Sequence, residues 1–66
     1  MDYNSITSAV ESHIICILSD SVYTEQQRYD FAYGAYLVWH ALVKGVFCKE
    51  DDARLWSLVR YTKRTK

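Results

Sequence analysis

Two histidines and two cysteines give this 66-residue chain the ligand inventory of a tetrahedral zinc site. His13 and Cys16 share a helix face at a spacing of three, but seven residues separate His40 from Cys48. Zinc modules join close ligand pairs through a short loop, so this spacing argues against a metal. Cys16 reads instead as a small buried hydrophobe, with His13 at the core margin. Cys48 stands just before a predicted helix start, where the helix dipole would lower a thiol pKa, but the acids Glu50, Asp51 and Asp52 oppose that shift. It reads as filling a position often held by an N-capping serine. The three carboxylates diverge by about 100° per residue, so they cannot converge on one cation and read as a solvated first turn. His40 is the one candidate for acid–base work, and no second group can be placed beside it, so neither an enzyme nor a cofactor is expected.

Three helices must position these groups. The first is predicted over about residues 5–19, with Asn4 or Ser5 as N-cap and a core face of Ile6, Val10, Ile14, Ile17 and Leu18. Ile15 points the other way. Thr24-Glu25-Gln26-Gln27 forms a capping box that opens a second helix over about 25–44, with Gly45 placed for a left-handed exit. The third helix is expected over about 49–62, with acids in its first turn and bases in its last, and Leu55, Leu58, Val59 and Thr62 inward beside Trp56. The absence of proline and the presence of only two glycines favour helices over sheet. The fold class is all-α, a small three-helix bundle with a long central helix, which a second copy could extend.

The central helix carries the run FAYGAYLVWHALVKGVF, whose one formal charge is Lys44. At about 100° per residue, Phe31, Ala35, Val38, Trp39, Leu42 and Val46 share a face assigned to the core, and Tyr29, Tyr33, Tyr36, His40 and Phe47 share a second. A tyrosine offers apolar area with a polar tip, which suits a surface that is wet when unbound. This second face is therefore the candidate partner-binding site, unless one of the other helices covers it. The small residues Ala32, Gly34, Ala35, Ala41 and Gly45 would let neighbouring backbones approach closely, so Gly34→Leu should disrupt either the fold or an interface.

A chain this short buries only about 60% of its unfolded surface, which makes association a natural source of stability. The expected function is a non-enzymatic protein–protein interaction module: a small adaptor, co-chaperone or inhibitor of a larger protein, as among phage and plasmid proteins that modulate a host. The partner is another protein, a second copy, or both. The alternative is a small DNA-binding or nucleoid-associated regulator using Trp56, Arg60, Lys63, Arg64 and Lys66 on the basic third helix. Eight acids balance eight bases, and that zero net charge weighs against nucleic acid. The apolar run is shorter than the about twenty residues needed to span a bilayer, so no membrane role is expected. The opening residues lack the basic-then-apolar pattern of a secretory signal, and two cysteines allow at most one disulfide. A cytoplasmic setting with reduced thiols is expected.

Overall fold

Each helix begins where a side-chain or backbone oxygen can satisfy an amide that the first turn leaves orphaned. The computed structural model describes residues 2–63, with side chains described as far as Arg60. Asp2 caps α1 (Tyr3–Ser19), accepting from the Ser5 amide at 2.8 Å. This corrects the expected cap: Asn4 and Ser5 already lie in the first turn, and the aspartate adds a charge that suits a helix start. Thr24 and Gln27 form the reciprocal capping box of α2 (Glu25–Leu42), at 3.1 and 2.9 Å. α2 ends two residues earlier than expected, and Gly45 takes a left-handed φ of +87° in the turn that follows. The Cys48 carbonyl accepts from the Asp52 amide at 3.0 Å and starts α3 (Lys49–Lys63).

With short connections the helices run up, down and up, and each touches both others. Ile14, Ala32, Trp39, Val43, Leu55 and Val59 form the core, and Ile6, Val10, Leu18, Leu58 and Trp56 pack around it. The inward faces of α1 and α3 are those the spacing predicts. Thr7 is the one buried polar residue among those described, and its hydroxyl accepts the Trp39 indole N–H at 2.9 Å. No buried polar side-chain atom lacks a partner among the described residues. Cys16 is exposed rather than buried, because its position turns away from Ile14 and Ile17.

α2 departs most from the expected arrangement. Trp39 is fully buried and Ala35 packs on the core, but four other residues assigned to the core lie out in solvent: Phe31 is 44% exposed, Val38 57%, Leu42 62% and Val46 69%. The inward direction, set by Ala32, Trp39, Val43 and Tyr36, is turned by about 70° toward the tyrosines, at 100° per residue. The cause is α3, which packs on the tyrosine side and leaves the opposite side open. Gly34 stands on that open side, where an added Cβ would meet nothing within 4 Å. A glycine inside a helix costs about 1 kcal/mol relative to alanine, and no contact within the chain offsets it.

Thr7→Val keeps the shape at position 7 and leaves the indole N–H unpaired. The expected outcome in a urea titration is a loss of about 1–3 kcal/mol, with Thr7→Ser losing less. A valine variant as stable as the parent would show that the hydrogen bond does not anchor the core.

Candidate functional site

The tyrosine stripe is brought together, and α3 lies across it. Tyr29 stacks on Tyr33 at 5.7 Å, and Trp56 of α3 meets Tyr33 at 5.9 Å and Tyr36 at 5.3 Å. Phe47 closes the lower end of the stripe, 4.7 Å from His40 and 5.8 Å from Trp39. Tyr29, Tyr36 and Phe47 pack on the core, which leaves Tyr33 as the most exposed ring of the stripe.

The acids at the start of α3 hold this arrangement. The Tyr36 hydroxyl donates to Asp52 at 2.5 Å, and His40 lies 3.4 Å from the same carboxylate. Burial and the Asp52 hydrogen bond push the Tyr36 hydroxyl up to about 12. The Tyr3 hydroxyl donates to Asp51 at 2.6 Å and accepts from the Cys48 amide at 3.0 Å, joining the first residue of α1 to the start of α3. Arg54 grips both oxygens of Glu11 at 3.0 and 3.1 Å and reaches Asp51 at 2.7 Å. Hydrogen bonds from Tyr3 and then Arg54 hold the Asp51 carboxyl below its ordinary value. The expectation of a solvated first turn is therefore corrected for Asp51 and Asp52, which are half-buried clamps on α1 and α2.

The Cys48 thiol donates to Glu50 at 3.3 Å, and that bond, ahead of burial, raises its pKa. This opposes formation of a reactive thiolate. Among the described residues no group of three or more His, Cys, Asp and Glu is placed to hold a metal ion. No helix among them is long and apolar enough to cross a membrane. Of the residues read as a nucleic-acid surface, Arg60 is exposed, whereas Trp56 spends its ring on Tyr33 and Tyr36. The side chain of Lys63, with Arg64 and Lys66, lies outside the described residues, as does that of Thr62.

The surface that stays open lies on the other flank of α2. A groove of about 680 Å³ runs between α1 and α2, lined by Val10, His13 and Ile17 on one wall and Phe31, Ala35 and Val38 on the other. Tyr23, set edge-on against Phe31 at 4.9 Å, closes one end. Leu37 and Leu42 continue the apolar surface along α2, at 48% and 62% exposure. Helical periodicity already groups Phe31, Val38 and Leu42; the signal that they face outward is the opposing set of ring-bearing and hydrogen-bonding side chains, which a wheel that ranks only hydropathy ignores.

The paired groups give the fold a pH dependence of known sign. Asp51, with its folded pKa depressed, contributes stability that is complete above its ordinary value of 3.8 and is lost as pH falls through the lower folded value. The urea midpoint should fall as the solution is taken below about pH 4, and less steeply in Asp51→Asn. On the alkaline side Tyr36, with its folded pKa raised, contributes below its ordinary value of 10 and loses that contribution as pH rises toward about 12. Burial and the bond to Asp51 raise Tyr3 as well, so phenolate absorbance should show more than one late-titrating tyrosine, and Tyr36→Phe should remove one of them. Compared with known families, curated proteins and solved structures, the chain has no match.

Proposed function

We propose that the chain is a non-enzymatic protein–protein interaction module that docks through the open apolar face of α2 and the groove this face forms with α1. The observation that carries the reading is the outward placement of Phe31, Leu37, Val38 and Leu42 on one helix, beside a groove with apolar walls. Contiguous exposed apolar surface of this kind normally marks a docking site. The groove favours an amphipathic helix, which would lay apolar side chains between α1 and α2. Placing the docking surface here, rather than on the tyrosine stripe, follows from the cover that α3 gives to Tyr29, Tyr36 and Phe47. The role is that of a small adaptor or inhibitor that acts by occupying a surface of a larger assembly.

Val38 is 57% exposed and lies outside the core, so Val38→Asp separates docking from folding. The expected result is an unchanged helical circular-dichroism spectrum together with loss of association, whether with a second copy or with a partner captured from the native cell. Tyr36→Ala should instead lower the melting temperature, because it removes the ring on Trp56 and the bond to Asp52. Capture that survives Val38→Asp and fails in a folded Tyr33→Ala variant would return the docking site to the tyrosine stripe.

A further inference from the structure

We infer that a second copy of this chain occupies the open face of α2, with the two α2 helices antiparallel about a twofold axis level with Tyr36. The inference rests on the proposed docking face and names its occupant.

The first argument is shape. Phe31, Gly34, Val38 and Ala41 fall within an arc of about 80° on α2, at 100° per residue, and they alternate large and small along it. All four are exposed. Antiparallel pairing level with Tyr36 sets Phe31 against Ala41 of the second copy and Val38 against its Gly34. Each large side chain meets a small one, and the twofold repeats both contacts, which is the self-complementarity an isologous interface requires. Gly34 then has a reason that the single chain does not provide, because nothing within it approaches that position. Without a Cβ there, two helix backbones can pack more closely than the usual 8–10 Å.

The second argument is charge. Asp30, which accepts from the Gln26 side-chain amide at 2.9 Å and borders the groove, and Lys44, in the turn just past the end of α2, are both exposed. A twofold axis between antiparallel helices keeps each flank opposite the same flank of the other copy. The antiparallel pairing brings Asp30 to the end of the interface where Lys44 of the second copy stands, so the two opposite charges meet there. The pairing forms twice, once at each end of the interface, and a parallel arrangement would form neither.

The third argument is area. Phe31, Leu37, Val38 and Leu42, 44–62% exposed, form the apolar centre that a standard interface of about 800 Å² a side needs from each partner. Gly34, Ala41 and the α1 wall of the groove supply the remainder.

Sedimentation equilibrium or light scattering over a range of concentrations tests this. The expected mass is twice the 7.8 kDa of one chain. Gly34→Leu should keep its helical spectrum, since the added side chain meets no atom of its own chain, and should weaken association at least about thirtyfold. Asp30→Lys, which gives up only the exposed hydrogen bond from Gln26, and Lys44→Asp, at an exposed turn residue, should each keep the helical spectrum and weaken association, and the double reversal should restore it. A dimer indifferent to Gly34→Leu, or sensitive to it but to neither charge reversal, overturns the arrangement. So does a wild-type chain that stays monomeric at every concentration. If that monomer still shows dye fluorescence that Val38→Asp abolishes, the docking face stands and its occupant is foreign. If it shows none, the docking face fails as well.

Discussion

A buried indole N–H has to donate a hydrogen bond, and in this chain its acceptor is the Thr7 hydroxyl. Trp39 is the largest fully buried side chain, so its direction is the direction in which α2 faces the core. The bond ties the last turn of that helix to the first half of α1 and sets both the rotation of α2 and its height against α1. Tyr36, three residues earlier, then points toward α3 and brings its hydroxyl to Asp52. Phe31, Val38 and Leu42, on the far side of the tryptophan, are turned out by the same rotation.

The position of α3 follows from polar groups more than from apolar ones. Leu55 and Val59 bury fully, but a short apolar stripe can slide by a turn along its neighbours at modest cost. Asp51 and Asp52 prevent that slide, since one is held by Tyr3 and the other by Tyr36, on two different helices. Arg54 adds a two-pronged grip on Glu11 one turn along. These pairs are partly exposed, so each contributes modestly to stability, and their main effect is to select one register. The acids also lie at a helix N-terminus, where the dipole favours negative charge, so the clamps form without electrostatic cost to α3.

Helix existence, the capping box and the inward faces of α1 and α3 were legible in the sequence, because each depends on neighbours within a few residues. The rotation of α2 was not. Its apolar residues extend too far around the helix for periodicity to pick a direction, and the decision falls to contacts across the chain: Thr7 for Trp39, Trp56 for Tyr33 and Tyr36, Asp52 for Tyr36. Thr7 carries no local signal, as a threonine on the apolar side of a helix looks like a neutral filler until its partner is known. Cys16 was misplaced for a related reason: as a small apolar residue it suits a core, but its angle on α1 puts it outside. The open groove was legible only in part, since Phe31, Val38 and Leu42 group correctly while the side they face depends on where α3 lies.

The open face of α2 is not needed by the fold. Polar residues at 38 and 42 would leave the core of Ile14, Ala32, Trp39, Val43, Leu55 and Val59 intact, and alanine at 34 would strengthen the helix. Each such change would also reduce the tendency to aggregate that exposed apolar surface brings. A chain of 66 residues has little stability to spare, yet this helix keeps four large apolar side chains in solvent and a glycine at its middle. The solvent-side composition of α2 therefore has no cause in the isolated chain.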